Sequence, residues 1–328
     1  MGKILVTGGA GFVGSQVVQK LLDDNREVVI LDHLKTKKGG LGYVNPNAEL
    51  VKKDITDSSF YKDLDNHKFD GIYHLAAQAC GEDSYSNPNG EDLMINSHGT
   101  WLVANYCKTR DINRLIYTST NAVYGHACKD IVDEKSDIEP ASIYGVSKYA
   151  GELFIKQLLR DSQTNYTIFR LTNIYGPGEN LNYQKKGLVS ILCSFPWKKE
   201  PVNFRGSLER YRDLLYIDDA VEALVKSYDS EKTFNEVYIL SSGEKTYFKD
   251  LLSKVLHHSG NDDDYPITFS EGTPGDMFGF HADISKIKRD LDWEPKTSVD
   301  EGLRKYFDWI NKVPVTEDIS PYHPFLVK

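Results

Sequence analysis

Apolar positions in the first half of the chain fall into two alternating patterns. Short β-prone runs at residues 3–7, 27–31, 49–53, 71–75, 114–118 and 167–171 each predict a strand. Between them, apolar residues recur at helical spacing. Residues 12–22 place Val13, Val17, Val18, Leu21 and Leu22 on one stripe, and residues 91–109 and 142–160 carry longer helical patterns. Strands alternating with helices imply parallel pairing, right-handed crossovers and helices on both faces. The pattern predicts an α/β fold built on a doubly wound parallel sheet.

After residue 176 the pattern changes. Gly, Pro, Asn and Lys fill predicted loops at 176–186 and 197–205, and a strand at 214–217 precedes a helix at 219–228 and a strand at 236–240. Short helices follow at 247–256, 285–291 and 299–313. This predicts a smaller, interleaved α+β lobe at 176–213 and 242–328. Residues 1–175 form the sheet domain, to which 214–241 return. The acidic run Asp262-Asp263-Asp264 reads as a solvated loop, and there are no repeats or low-complexity tracts.

Composition narrows the class. The 328 residues suffice for two domains and a sizeable core, with 40% hydrophobic residues. Thirty-nine Lys and Arg against 48 Asp and Glu give a net charge of −9, which argues against a general nucleic-acid binder. No apolar run approaches the ~20 residues that span a bilayer. Because Met1-Gly2-Lys3 leads directly into Ile4-Leu5-Val6, a buried-strand pattern, no signal peptide is expected, and Val6 stands where myristoylation of Gly2 wants Ser or Thr. Cys80, Cys107, Cys128 and Cys193 show no close pairing, so reduced thiols in a cytoplasmic protein are expected, without zinc or disulfides. His257-His258 has no ligand partners in sequence, and no metal site is expected.

Thr7-Gly8-Gly9-Ala10-Gly11-Phe12-Val13-Gly14 joins the first predicted strand to the first helix. Glycines there make the turn tight, let backbone approach a pyrophosphate, and aim a helix N-terminus at its charge. Asp32 ends the second strand, 18 residues after Gly14, where a carboxylate accepts from an adenosine ribose 2′-hydroxyl and repels a 2′-phosphate. NAD is therefore favoured over NADP, although Lys35, Lys37 and Lys38 nearby soften the preference. Asp54-Ile55 follows the third strand, at the sheet edge where adenine is expected.

Tyr144 and Lys148 stand four apart on one helical face. A phenol titrates near pH 10, and a shift of about three units, produced by a neighbouring ammonium and the nicotinamide charge, makes it a usable base. Thr120 follows the fifth strand at the same sheet edge, in Tyr117-Thr118-Ser119-Thr120-Asn121-Ala122-Val123-Tyr124-Gly125, and is placed to share a hydrogen bond with Tyr144 and a substrate hydroxyl.

These residues resemble the motifs of the nucleotide-sugar epimerase/dehydratase family of extended short-chain dehydrogenase/reductases, in particular its UDP-glucose 4-epimerase-like members. The resemblance runs from Lys3 to about Asn311. It also rests on His74-Leu75-Ala76-Ala77, Asn96 with Gly99-Thr100, Arg170 to Pro177, Arg212-Asp213 with Asp218-Asp219, Ala282 to Lys286, and Leu291 to Pro295. It implies a Rossmann fold and a bound NAD. The cofactor would meet Gly8, Gly11, Phe12, Val13, Gly14, Asp32, Asp54, Ile55, Leu75, Ala76, Ala77, Asn96, Thr118, Tyr144 and Lys148. Tyr144 would be the base and Lys148 would lower its pKa and hold the nicotinamide ribose. Asn96 would support the helix behind Lys148. Gln78, Thr120, Asn121, Asn173, Leu188, Arg212 and Phe280 would meet the nucleotide-sugar substrate, Asn173 and Arg212 at its diphosphate, where a guanidinium suits paired oxygens. The resemblance further implies a homodimer through the helices at 91–109 and 142–160.

Two departures shape the reading. Dehydrating relatives carry an Asp-Glu pair straight after the catalytic Thr, and decarboxylating relatives a Glu; this chain has Asn121-Ala122. Elimination is disfavoured, and hydride removal and return, which is epimerisation, is left. The leading expectation is C4 of a UDP-hexose. The alternatives are C2 of a CDP-linked or other nucleotide-linked deoxysugar, a dehydrogenase releasing a keto-sugar, and a non-enzymatic NAD-sensing regulator. Asn121 either bonds a sugar hydroxyl or caps its loop. Second, Thr273 stands before Pro274-Gly275-Asp276, where many UDP-sugar epimerases carry a phosphate-binding Arg, so Arg205 or Arg210 is a candidate substitute. Phe280 reads either as a bulky neighbour of an unacetylated sugar or as core packing. His74 and His126 read as structural and loop residues, and Asp213 and Asp218 as sheet-edge and turn residues.

Overall fold

The computed structural model describes residues 2–34, 43–79, 84, 89–127, 131–262, 264–272 and 277–326. Lys35, Lys37, Lys38, Cys80, Cys128, Asp263, Thr273, Pro274, Gly275 and Asp276 lie outside them.

Seven parallel strands form the main sheet: β1 (Lys3–Thr7), β2 (Glu27–Asp32), β3 (Glu49–Lys52), β4 (Phe69–His74), β5 (Arg114–Thr120), β6 (Asn165–Leu171) and β11 (Glu236–Leu240). Their order is β11-β6-β5-β4-β1-β2-β3. Strand order reverses between β1 and β4, so the loops leaving the two halves diverge and open a crevice at the C-terminal edge. Alternation along β1 shows how both faces are used. Ile4 and Val6 join the apolar layer under α1 (Phe12–Asp23), whereas Leu5 faces the opposite layer with Leu102, Val103, Ile155 and Leu159.

On that opposite face lie α3 (Thr100–Thr109) and α4 (Ile143–Leu159), with a short α2 (Phe60–Asp63) beside them. The predicted helix at 91–109 is not uniform: residues Leu93–Gly99 wind as a π-helix before the α-helix begins. Such wide turns are rare and gather at functional sites. Ser142 caps α4 by accepting from the Gly145 N–H, which fixes where Tyr144 enters the helix.

The second half contains more regular structure than its polar sequence suggests. Residues 188–198, given no element by the pattern, form α5 (Leu188–Lys198), and the expected loop at 197–205 holds β8 (Val202–Arg205), which pairs in parallel with β13 (Ile267–Ser270). Short strands β7 (Asn173–Tyr175) and β10 (Leu214–Tyr216) pair in parallel, and β9 (Tyr211–Arg212) pairs antiparallel with β12 (Thr246–Tyr247). Helices α6 (Ile217–Lys226), α7 (Phe248–His258), α8 (Ser285–Leu291) and α9 (Val299–Ile310) complete the chain. Among the described residues no helix is long and apolar enough to cross a membrane.

Candidate active site

The crevice is a cleft of about 530 Å³ lined from both sides of the strand reversal. At one end sits the glycine turn. Gly11 caps α1 without any side-chain bond, so the first-turn N–H groups remain aimed outward. Gly8 adopts φ of 71°, and a Cβ there would lie 2.6 Å from the Ala76 nitrogen. A Cβ on Gly14 would lie 2.1 Å from the Gly8 carbonyl oxygen. Both glycines are thus required by close backbone approach. Asp32 accepts from the Ala10 N–H at 3.2 Å and the Leu34 N–H at 2.9 Å, which holds its carboxylate at the cleft wall. Asp54 and Ile55 line the wall beyond it, with Asp54 fixed by the Thr56 N–H and hydroxyl. Open N–H donors, a shallow glycine floor and a strand-end carboxylate fit a dinucleotide.

Phe12, Val13, Leu75, Ala76, Ala77, Gln78, Thr118, Thr120, Asn121, Tyr144, Lys148, Asn173 and Arg212 all line the same cleft. Thr120 accepts from the Ala122 N–H at 3.1 Å, so Thr120 caps this turn, rather than Asn121. Lys148 is buried, its ammonium 4.4 Å from the centre of the Tyr117 ring. Burial pulls its pKa down to about 7, against the opposing pull of Glu152.

Asn96 lies behind the cleft. Fully buried in the π-helix, it accepts from the Gln78 N–H and donates to the Gln78 carbonyl, each at 2.9 Å, and donates to the Ser147 hydroxyl at 3.0 Å. Ser147 in turn donates to the Tyr144 carbonyl at 2.9 Å. Asn96 therefore ties a cleft-wall backbone to the helix bearing Tyr144 and Lys148 through direct hydrogen bonds.

Arg212 donates to the carbonyls of Tyr211, Met277 and Phe278, and its guanidinium lies 5.2 Å from the Phe248 ring centre. Arg210 also donates to Met277 and flanks Phe248 at 5.1 Å, but is not part of the cleft wall. Leu188 opens α5 next to Gly187, which does line the cleft. Phe280 does not: it is 1% exposed and packs 6.1 Å from the Tyr124 ring. Its position matches the core-packing alternative.

His74 is also buried, pairing with Thr7 at 2.7 Å and Thr100 at 2.9 Å, and burial pushes its pKa to about 3. It is a neutral tie between strand and helix. Asp213 accepts from the N–H groups of Ser242, Gly243 and Ala282, a lattice of backbone bonds rather than a chemical site. No group of three or more His, Cys, Asp or Glu is placed to hold a metal among the described residues.

Sequence reasoning missed several cleft residues, among them Lys53, Ile95, Glu179, Lys186 and Met277. Glu179, Lys186 and Met277 come from loops whose course no periodicity reveals, whereas Ile95 lies on the π-helix and Lys53 at the end of the expected third strand. It also missed Glu152, although the four-residue step from Lys148 was visible.

Residues 4–240 match the NAD dependent epimerase/dehydratase family. The chain is 32% identical over 308 residues to a Methanocaldococcus jannaschii protein provisionally named UDP-glucose 4-epimerase, covering 94% of this chain and 98% of that one. The solved UDP-glucose 4-epimerase of Thermotoga maritima, with UDP-glucose, is 31% identical and aligns with a TM-score of 0.89 over 94% of this chain and 99% of its own. The UDP-glucuronic acid 4-epimerase of Bacillus cereus, in complex with UDP-glucuronic acid and NAD, is 28% identical with a TM-score of 0.85 over 94% and 99%.

Proposed function

The chain belongs to the NAD dependent epimerase/dehydratase family, and from that premise we propose that it is an NAD-dependent nucleotide-sugar epimerase acting at C4 of a UDP-hexose. The observation that carries this reading is the single cleft in which Thr120, Tyr144 and Lys148 share a wall with the glycine turn and with Asn121 and Ala122. A base and its supporting cation are present, and the two residues after Thr120 offer no carboxyl group for elimination.

NAD, when bound, accepts and returns the hydride. Tyr144, as phenolate, takes the proton from the sugar hydroxyl and gives it back after the ring has turned. Lys148 stabilises that phenolate by its charge, and Thr120 orients the hydroxyl. Asn173 and Arg212 hold the diphosphate, so the nucleotide stays anchored while the keto-sugar presents its other face. Gln78 and Asn121 contact the sugar, and Leu188 the nucleotide. In this division, 1–175 with 214–241 bind the dinucleotide and 176–213 with 242–328 bind the substrate.

A homodimer is part of the proposal. Leu93, Met94, Ile143, Val146, Leu153 and Phe154 are exposed on the π-helix and α4, an apolar face suited to a second copy. Sedimentation at micromolar concentration should give twice the chain mass, and a monomer would refute it. We place the enzyme in the cytoplasm, without nucleic-acid or membrane partners.

Proton NMR with UDP-, GDP- and CDP-sugars in deuterated water, with and without added NAD, tests the reaction. Inversion at one carbinol without solvent deuterium at that carbon is the expected result. A keto product with stoichiometric NADH, or deuterium entering beside a carbonyl, would overturn it.

A further inference from the structure

Beneath the cleft floor lies a buried charge cluster that the proton-transfer steps do not use. Glu152 is wholly buried on α4, one turn past Lys148. Its carboxylate receives Arg170 through Nε at 3.0 Å and Nη2 at 2.8 Å, and the Ser119 hydroxyl at 2.6 Å. Arg170 also donates to the Tyr124 hydroxyl at 2.9 Å. These partners come from separate elements. Ser119 immediately precedes Thr120 on β5, and Arg170 lies near the end of β6, three residues before Asn173.

A buried carboxylate with this many donors costs much to desolvate, and hydrophobic replacement of such pairs is often neutral or stabilising. Its placement therefore points to a task. We propose that Glu152 is a positioning residue for the proton-transfer site: its carboxylate keeps Lys148 in the ammonium form and fixes α4, Thr120 and the Asn173 segment in one frame. The inference rests on the proposed epimerase chemistry for its purpose, while the effect on the Lys148 proton can be read without substrate.

The groups facing Lys148 support this. His74 on β4 is neutral, Tyr117 on β5 offers its ring face, and Tyr144 shares the helix. Asn96 and Thr100 across the helix interface carry no charge. Lys156, 4.0 Å from Glu152, and Arg170 are cations reached through the carboxylate. Glu152 is the group opposing the loss of the Lys148 proton that burial favours.

The test follows the Lys148 titration by NMR in the full-length protein carrying ¹³C-lysine, with the resonance assigned by Lys148→Arg. With Glu152 one helical turn from Lys148, loss of the charge in Glu152→Gln should lower the midpoint by about 1 to 2 pH units. Glu152→Asp should restore it towards the wild-type value. The upper pH limb of kcat for epimerisation should move the same way, with little change in KM for the nucleotide sugar. A folded Glu152→Gln protein whose Lys148 titrates at the wild-type midpoint would overturn the proposal. Should that variant not fold, Glu152→Gln with Arg170→Gln removes both members of the buried ion pair, and a smaller downward shift is expected. An unchanged midpoint there refutes the proposal equally. Because the titration needs no substrate, an absence of epimerase turnover in the wild type would sink the assigned reaction without deciding the role of Glu152.

Discussion

Replacing Asn96 by Leu should damage both stability and turnover. The side chain makes three hydrogen bonds, two to the backbone of Gln78 and one to Ser147. Leucine is of similar size but can make none of them and leaves little room for a substituting water. Ser147 keeps its bond to the Tyr144 carbonyl, so the cost falls mainly on the Gln78 N–H and C=O. Each buried polar group left without a partner costs about 1–3 kcal/mol, giving about 2–6 kcal/mol together. For a chain of this length the melting entropy is about 0.7 kcal/mol per degree, so Tm should fall by roughly 3–9 °C. Turnover should suffer more, because the same bonds set the Gln78 wall and the helix carrying Tyr144 and Lys148. Misplacement by about 1 Å costs on the order of 100-fold. Thermal melting read beside steady-state kinetics checks both. Asn96→Ala, which leaves a polar cavity that water can enter, should lose less of each. A Leu variant that melts within a degree of wild type and keeps its kcat would refute this account.

Three further outcomes are expected. Tyr144→Phe should cut turnover at least 100-fold while sparing NAD binding measured by calorimetry; retained turnover would remove Tyr144 as the base. Arg212→Lys keeps the charge but loses the fork gripping the Met277 and Phe278 carbonyls, so KM for the nucleotide sugar should rise about tenfold, read from initial rates. Acid should destabilise the fold. His74 and His323 are buried with pKa near 3, below the ordinary 6.5, so the unfolded chain binds protons that the folded chain refuses as pH drops from 6.5 towards 3. Between pH 7 and pH 5 each should cost about 2 kcal/mol in urea unfolding, and His74→Gln should flatten that dependence.

Residues whose placement follows from spacing on one element were legible in the sequence. The glycine turn, Asp32 and the Tyr144–Lys148 pair each sit on a strand end or helix face that the apolar pattern had already located. The main-sheet strands fall within two residues of the expected limits, because a strand buried on both faces must be apolar along its length. The second half was less readable. Helix α5 begins in a segment bordered by loop-like sequence, and the pairing of β8 with β13 joins residues more than 60 apart. Short two-sided pairings leave little periodic signal, since their register is set by what they pack against.

The sequence by itself determined the doubly wound sheet, the glycine turn after its first strand and the placing of Tyr144 and Lys148 on one helical face, because these depend on periodicity and on spacing within single elements. Tertiary structure alone decided how the site is held. Asn96 reaching Gln78 and Ser147, Phe280 turning into the core beside Tyr124, and Glu152 meeting Arg170 and Ser119 all join segments far apart in the chain. Contacts of that kind arise only when the sheet brings its strand ends to one edge, where a buried polar group must find whatever partner the packing supplies.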